Sequence, residues 1–565
     1  MLADDGSCDV KNWLEVLVNK SLIEIDPEGY YSTWAAVIKP VVVMHKLLEQ
    51  VGKQAIRRQE PWKRQILINA HEICDILQYE KGTRNVSGIS FDTSGISEVT
   101  ISDGAFKRMP NLRFLSVYKR IRYDENDTDR TMHISEEMEF PPRLRLLQWS
   151  AYPSKCLPRT FNPEYLVELY MGCSPQLEKL WEGRKALKNL KYMDLSRSKK
   201  LKELPDLSNA TNLERLNLEY CESLVEIPST FSHLHKLQEL NMRNCINLQD
   251  IPQHMNLASL EEVDMTGCSR LRKFPVISTH IKDLSMSDNP ELDQVNKIPS
   301  WYWCRLENLR ISSSSGNLKG LTSLPNSVRR LSLTGSDMER IPDCVKALHQ
   351  LEHLYIDDCR RLTSLPELPS SLEYLKVENC ESLETLLSPL YTPEMRLYFI
   401  NCFKLGEEAR RAITRRSEYM TNAKFIGDGS AILPGRQVPA EFGHRAKGNS
   451  LTILLHVGNS KQLYLYRCMV CVVISPQTKE TPQIYYSSKL LCRINGKCQE
   501  FTILEASACR REHLFIFHSG LLYIDPSEAG TKTVVLEFNS KIHRYEITEC
   551  GVKILIPQSI KKDRI

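Results

Sequence analysis

Six cysteines recur at regular intervals through the middle of the chain, and thiols in a row are the residue type that most readily suggests a metal site. Zinc sites need ligands paired at C-x₂₋₄-C spacing with further ligands nearby, whereas these thiols stand alone. We therefore interpret them as small buried groups that pack and donate weak hydrogen bonds. The six are Cys221, Cys245, Cys268, Cys359, Cys380 and Cys402.

A second cysteine pair, Cys468-x-x-Cys471, falls in a predicted strand. Side chains three residues apart on a strand face opposite sides of a sheet, so this pair is expected to pack in a core and not to share a metal. The sequence contains no G-x-x-x-x-G-K-[ST], H-E-x-x-H or G-x-S-x-G motif. We therefore predict no catalytic residues, no metal site and no enzymatic activity.

The cysteines belong to a longer repeat in which the pattern L-x-x-L-x-L recurs with conservative changes. Its spacing is about 23 residues, inside the range of leucine-rich repeats. Each copy predicts a short strand whose spaced apolar side chains enter a shared core, so the copies must stack. The predicted fold class is an α/β leucine-rich-repeat solenoid of horseshoe form. The copies begin at Leu112, Leu144, Leu166, Leu190, Leu213, Leu237, Leu260, Ile281, Leu306, Val328, Leu351, Leu372 and Met395.

The residue between the second and third apolar positions must face away from the core, because strand side chains alternate. This outward column is acidic or amide from Asp194 to Asp264. Exposed Tyr and Arg are frequent anchors of protein interfaces, so we predict partner binding in the later repeats. The alternative is a solvated face with incidental aromatic residues. The predicted partner-binding residues are Arg310, His353, Tyr355, Tyr374, Lys376 and Phe399.

The flanks differ from the repeats. Helical spacing in 11–20 and 44–58, with a strand at 21–25, predicts a winged-helix-like unit. After residue 432, apolar strands separated by turn signals predict a β-sandwich. The charged segment before these strands predicts a helix. The predicted domains are 1–60 winged-helix-like, 61–105 linker, 106–405 leucine-rich repeats, 406–430 helical connector and 431–565 β-sandwich.

The composition narrows the function classes. The chain has 565 residues and a net charge of +4, which gives no electrostatic footprint for nucleic acid. No run reaches the roughly 20 apolar residues of a membrane helix, and the first residues lack the pattern of a signal peptide. We expect a cytoplasmic protein, also compatible with the nucleus, with reduced thiols.

Several motifs, in order along the chain, resemble plant intracellular immune receptors of the TIR–nucleotide-binding–leucine-rich-repeat class. They are Met44-His45-Lys46-Leu47-Leu48, Gly82-Thr83-Arg84, Ala105-Phe106-Lys107-Arg108-Met109, Leu177-Glu178-Lys179-Leu180-Trp181-Glu182-Gly183, Leu433-Pro434-Gly435-x-x-Val438-Pro439-x-x-Phe442 and Glu549-Cys550-Gly551-Val552.

The resemblance implies that a pathogen effector, or a guarded host protein, is sensed through the repeats and a C-terminal jelly-roll/Ig-like domain. It also implies contacts with the receptor's own or sibling domains. In this family a Met-His-Asp histidine contacts ADP; here Met44-His45 match and Lys46 replaces the aspartate. No cofactor is expected in this chain, although the full-length family holds ADP or ATP and its NAD hydrolysis resides in the TIR domain. A stand-alone, non-signalling scaffold or decoy is the alternative function.

Overall fold

The computed structural model describes most of the chain, and His45 and the predicted helix at 11–20 lie outside the described residues. The chain divides into two compact units, Met1–Val295 and Asn296–Ile565. The described residues are 23–26, 41–44, 46–119, 131–252, 255, 257–272, 278–287, 303–312, 323–335, 338–386, 395–416, 430–457, 464–476, 488–494, 497–503, 509–524, 530–540 and 545–559.

The described part of the first unit contains two α-helices and 14 strands, most of them short. The helices are α1 (Lys46–Arg58) and α2 (Ala70–Tyr79). The strands are β1 (Ile23–Asp26), β2 (Val41–Met44), β3 (Ile66–Leu67), β4 (Gly88–Asp92), β5 (Glu98–Ile101), β6 (Phe114–Tyr118), β7 (Thr131–Ile134), β8 (Leu146–Trp149), β9 (Glu168–Tyr170), β10 (Tyr192–Asp194), β11 (Arg215–Asn217), β12 (Glu239–Asn241), β13 (Glu262–Met265) and β14 (Asp283–Ser287).

The described part of the second unit has one α-helix, α3 (Glu407–Arg416), inside the predicted connector. Its strands are β15 (Asn308–Ser312), β16 (Arg330–Thr334), β17 (His353–Asp357), β18 (Ser364–Leu365), β19 (Tyr374–Glu378), β20 (Thr385–Leu386), β21 (Arg396–Ile400), β22 (Ala431–Pro434), β23 (His444–Lys447), β24 (Ser450–Val457), β25 (Tyr464–Pro476), β26 (Ser488–Ile494), β27 (Lys497–Ile503), β28 (His513–Ile524), β29 (Gly530–Ser540) and β30 (Tyr545–Ser559).

The repeats of the first unit form one parallel sheet in which each repeat adds a strand. Its order is β3-β4-β6-β8-β9-β10-β11-β12-β13-β14. Leu169, Met193, Leu216 and Leu240 stand opposite one another across β9 to β12 and are buried. These side chains are the second apolar position of the repeat, so the predicted solenoid is confirmed. The sheet already includes β3 and β4, which lie in the range predicted as linker.

A left-handed residue follows many of the repeat strands and directly precedes the cysteine. Tyr220, Asn244 and Asn379 have φ of 58°, 56° and 53°. The turn sends the next side chain back into the core, where the Sγ of Cys245 donates to the carbonyl of Leu218 at 3.1 Å. The remaining cysteines of the row are also buried, and their thiols donate to carbonyls of the preceding repeat. The prediction of packed, weakly donating thiols is confirmed.

The described part of the second unit begins with parallel strands and ends with antiparallel ones. Strands β15, β16, β17, β19 and β21 pair in parallel, and β22 adds to β21 in the same direction. From β22 the order runs β28, β25, β30 and β23, all antiparallel. A separate antiparallel sheet has the order β24-β29-β26-β27. Residues of both sheets, such as Val470 and Leu536, lie in one hydrophobic cluster.

Two motifs that are far apart in sequence meet in this C-terminal part. The carboxylate of Glu549 accepts a hydrogen bond from the backbone N–H of Val438 at 2.8 Å. A Cβ placed on Gly551 would lie 2.5 Å from Val438 and 3.3 Å from the Cβ of Phe442. Only glycine therefore lets β30 approach the turn that precedes β23.

Candidate partner-binding surface

Three of the residues predicted to bind a partner, His353, Tyr355 and Tyr374, lie together on the outward side of β17 and β19. The rings of Tyr355 and Tyr374 are 5.4 Å apart, and those of His353 and Tyr374 are 5.6 Å apart. Tyr374 is only 7% exposed and belongs to the hydrophobic cluster of the C-terminal sheets, with Tyr355 packed against it. The predicted exposure of Tyr374 is therefore wrong, because the C-terminal sheets cover its ring.

In the last repeat, the outward position is not occupied by the residue that the sequence predicts. Lys376 pairs with Tyr398, and Val377 pairs with Phe399, so Tyr398 occupies the outward column. The side chain of Phe399 is fully buried, and the prediction that it faces outward is wrong by one residue. The segment Arg396–Ile400 reads RLYFI, and four apolar residues in succession do not define which face is inward.

The two remaining predicted residues, Lys376 and Arg310, are polar. Lys376 forms an ion pair with Glu378 at 2.8 Å, and both side chains are largely buried, with exposures of 14% and 9%. Arg310 is half-buried on β15. Since a buried cation that has a carboxylate partner is already compensated, Lys376 is a weaker anchor than its position in the sequence indicated. The partner-binding roles of Arg310, His353, Tyr355 and Lys376 stay predictions.

The last repeat is joined to the C-terminal sheets by a buried histidine. The backbone N–H of Asn401 donates to Nε2 of His513 at 2.9 Å, while Nδ1 of His513 lies 2.8 Å from the carbonyl of Arg511. Nε2 must accept, so the ring is neutral with its proton on Nδ1. Burial lowers the pKa of His513 to about 4. The side-chain oxygen of Asn401 also accepts from the backbone N–H of Arg510 at 2.9 Å.

A different group of tyrosines and arginines lies in the first unit, on repeats that contribute β9, β10 and β11. The rings of Tyr170 and Tyr192 are 4.8 Å apart, and the guanidinium of Arg215 lies 5.1 Å from the Tyr192 ring. In the turns that follow β10 and β11, the guanidinium of Arg197 lies 4.9 Å from the Tyr220 ring. Arg197 is exposed and the other four are half-buried. We call these five residues the Tyr–Arg face.

Acidic groups surround the Tyr–Arg face. Burial raises the pKa of Asp194, although Ser196 donates hydrogen bonds to its carboxylate. Burial also raises the pKa of Glu219, although the charges of the nearby Arg197 and Arg243 lower it. The hydroxyl of Tyr170 donates to Glu168 at 3.0 Å. The face thus combines aromatic rings and arginines with half-buried carboxylates.

Sequence reasoning missed the Tyr–Arg face because it considered the neighbouring outward position only in the later repeats, at His353 and Tyr374. Tyr170 is in the outward column, but Tyr192 and Arg215 occupy the outward position two residues earlier in their strands. The cation–π pairs join one repeat to the next, so they become visible only when the columns are placed side by side.

Comparisons with known proteins agree with the repeat architecture. Two family models described as Leucine Rich Repeat match residues 165–185 and 212–234, which contain β9 and β11. The Arabidopsis thaliana disease resistance protein RML1B is 51% identical over 99% of this chain and 52% of its own length. RML1A is 45% identical over 98% of this chain and 53% of its own length. RPS6 is 32% identical over 87% of this chain and 48% of its own length.

The chain belongs to the TIR-type nucleotide-binding leucine-rich-repeat family of plant disease resistance proteins. It spans about half the length of the curated relatives it matches.

Solved structures also resemble this disease resistance chain, at low similarity. The leucine-rich-repeat protein LIC12759 of Leptospira interrogans is 16% identical and covers 63% of this chain and 98% of its own, with a TM-score of 0.32. The functional domain of InlJ from Listeria monocytogenes is 12% identical and covers 80% of this chain and 90% of its own, with a TM-score of 0.30. The solenoid assignment of the disease resistance chain rests on its own strand register.

Within the described ranges, no group of three or more His, Cys, Asp or Glu residues could hold a metal ion. In the same residues, no helix is both long and apolar enough to cross a membrane. The histidine expected to contact ADP, His45, is not among the described residues, so no nucleotide-dependent step is assigned to it.

Proposed function

We propose that this chain is the recognition portion of a disease resistance receptor, and that its Tyr–Arg face binds a pathogen effector protein or a guarded host protein. The observation that carries the proposal is the pair of cation–π contacts on neighbouring repeats, Arg215 with Tyr192 and Arg197 with Tyr220. Tyr and Arg dominate the binding energy of protein interfaces, because they bury large, rigid surfaces and keep a polar group at the edge.

Local rigidity supports the choice of this face over the later repeats. The rings of Tyr170 and Tyr192 stand on strands whose inward residues are fully buried, and each ring of the face contacts a neighbouring ring or guanidinium. Side chains that are already ordered lose little conformational entropy on binding. In the later repeats Tyr374 is occupied by the C-terminal sheets, so its ring surface is not offered to a partner.

In this proposal the parts of the chain on either side of the repeats have structural roles. The two C-terminal sheets form a jelly-roll/Ig-like sandwich that closes the end of the repeats, and β1, β2 and α1 belong to a winged-helix-like unit. Control of signalling, contacts with the receptor's own or sibling domains, ADP or ATP binding through His45, and action in the cytoplasm or nucleus follow from the family. They are proposals for the whole receptor.

The test uses the purified chain and a library of pathogen effector proteins, with surface plasmon resonance as the readout. For any effector that binds, the double variant Tyr192→Ala/Arg215→Ala is expected to weaken binding by roughly 30-fold or more, since the loss of even one interface anchor costs about 2 kcal/mol or more. The matched control is Tyr165→Ala/Arg159→Ala, which removes the same residue types from exposed positions outside the face.

Equal affinity of the wild type and the Tyr192→Ala/Arg215→Ala variant would refute the Tyr–Arg face as the contact. An equal loss in both double variants would show that the substitutions act through stability or through general charge. Thermal melts of both variants accompany the binding data, so that a folding defect is recognised directly.

A further inference from the structure

The helix α1 (Lys46–Arg58) has an apolar side that is open to solvent. None of its 13 residues is buried, and Leu47 and Val51 are 63% and 61% exposed. Because each residue of an α-helix advances by about 100° around the axis, Leu47, Val51 and the exposed Ala55 lie on one side of the helix. Helices in proteins gain most of their stability by packing such a side against something else, so this side is suited to docking.

The part of the chain that contains α1 is also its basic part. Residues 46–66 include six basic and two acidic residues, which gives a net charge of +4. The whole chain has the same net charge of +4, so the remaining residues are balanced. An anionic partner is therefore attracted to this segment more than to the chain as a whole.

Cations border the apolar side of α1. Arg57 and Arg58 are exposed, and the rotation per residue places Arg58 about 20° from Leu47 around the helix axis. Glu49, the one acidic residue of the helix, forms an ion pair with Lys53. A helix with an exposed apolar side and a lysine- and arginine-rich polar side is typical of helices that lie in a membrane–water interface.

The helix is fixed to the start of the repeats by Arg64. Its guanidinium donates to the carbonyls of Arg57 and Gln59 at 3.1 and 3.0 Å, and to the carboxylate of Glu72 on α2 at 2.6 Å. The exposed Trp62 lies in the turn between them, and tryptophan is enriched at membrane–water interfaces. A helix that is already formed and held loses little conformational entropy on docking.

We infer that α1 docks on an anionic lipid surface. The side chains of Leu47 and Val51 enter the boundary between headgroups and acyl chains, while Arg57 and Arg58 contact the anionic headgroups. The strength of such docking depends on both the apolar area that is buried and the attraction to anionic lipid. This inference goes beyond the proposed function, which concerns the repeats that contribute β9, β10 and β11.

The geometry favours a lipid surface over a protein that encloses a helix. Leu48 and Ile56, on the other part of the apolar side, are half-buried by the chain itself. An enclosing protein would need access to the whole circumference of α1, whereas a lipid surface needs only the side that carries Leu47 and Val51.

The experiment measures co-sedimentation of the full 565-residue chain with lipid vesicles. Vesicles of phosphatidylcholine with about 30% phosphatidylserine are expected to bind at least about tenfold more tightly than vesicles of phosphatidylcholine alone. The affinity should fall as salt rises from about 50 to 200 mM, because salt screens the charges. Arg57→Gln/Arg58→Gln is expected to weaken binding roughly 30-fold, since each basic residue near an anionic surface contributes about fivefold. The matched control, Lys107→Gln/Arg108→Gln, removes two exposed charges from the repeats and should bind like the wild type.

A second variant tests the apolar side. Leu47→Gln/Val51→Gln is expected to weaken binding to anionic vesicles about tenfold, because less apolar area is buried. Glutamine is a good helix former and both positions are exposed, so the melting temperature should not change. Its matched control is Val225→Gln/Ile246→Gln, at exposed apolar positions in the repeats.

Equal binding to both kinds of vesicle, or an equal loss in the variants of α1 and in their controls, overturns the lipid surface. Binding to calcium-loaded calmodulin, an acidic protein that encloses helices, without binding to anionic vesicles would also overturn it and would indicate a protein partner. If Leu47→Gln/Val51→Gln lowers the melting temperature, the variant Arg57→Gln/Arg58→Gln decides, because wild-type vesicle binding by that variant refutes the inference.

Discussion

Tyr374→Ala separates two interpretations of the later repeats. The sequence predicts an exposed binding residue, whereas the structure buries its ring among Tyr355, His353 and Tyr398 at centroid distances of 5.4, 5.6 and 5.3 Å. If the ring is an internal contact, the substitution must destabilise the joint between the repeats and the C-terminal sheets.

The size of the effect follows from the buried area. An aromatic side chain buries about 150–250 Å², and at ~25 cal/mol per Å² this corresponds to roughly 4–6 kcal/mol. Alanine retains part of the contact and the neighbours relax, so a loss of about 4 kcal/mol is expected for Tyr374, which is 7% exposed. Such a loss is roughly a thousandfold change in the local opening equilibrium.

Hydrogen exchange measured by mass spectrometry is the suitable assay, because it reports opening locally in a chain of two units. Amides of β21, β22 and β28 are expected to exchange about three orders of magnitude faster in Tyr374→Ala, while those of β9 to β12 are unchanged. Tyr165→Ala, at a site that is 49% exposed, is the control. Exchange within tenfold of wild type, combined with a lost effector interaction, would refute the packing argument.

Three further changes test other parts of the fold. The pKa of His513 is about 4 in the folded chain, below its ordinary value of 6.5, so its contribution of at most about 3 kcal/mol is complete above pH 6.5 and is lost as the pH falls towards 4. Thermal melts from pH 7.5 to 5 should therefore decline, and a His513→Gln variant whose melts decline as steeply would contradict this assignment. Cys245→Ala should lower the free energy of unfolding, measured by chemical denaturation, by about 1–2 kcal/mol because a buried thiol contact is lost. Cys304→Ala, at an exposed position, should leave it unchanged. An equal loss in both variants would refute the role of the thiol row. Gly551→Ala should destabilise the C-terminal sheets, because its Cβ would lie 2.5 Å from Val438; unchanged exchange protection in β23 and β30 would show that the turn can move aside.

The repeats were predictable because inward and outward positions differ sharply in polarity. Leu169, Leu216 and Leu240 alternate with polar residues, and a shift of one residue would bury charges. The same reasoning failed at Phe399, where the alternation disappears. The row of cysteines was interpreted correctly because its spacing equals that of the repeat.

The joint at His513 could not be predicted from local pattern. Asn401 and His513 are 112 residues apart, and the sequence around either residue does not indicate that it contacts the other. The burial of Tyr374 has the same origin, because what covers an outward-facing ring is decided by a strand order that the sequence does not specify. The cation–π pairs of the Tyr–Arg face were accessible in principle, since their members occupy equivalent outward positions in successive repeats.

The addition of β22 to the parallel sheet has a consequence for how truncated forms behave. A parallel solenoid that stopped at β21 would present a row of unpaired N–H and C=O groups, and such an edge recruits strands from other molecules. In this chain β22 covers that edge, pairing Leu397 with Ala431 and Tyr398 with Ile432. Deleting the C-terminal sheets would therefore remove a domain and also leave β21 as an unpaired edge strand that can pair with strands of other molecules. Self-association of a truncated chain would follow from this edge alone, whether or not the deleted sheets contact a partner.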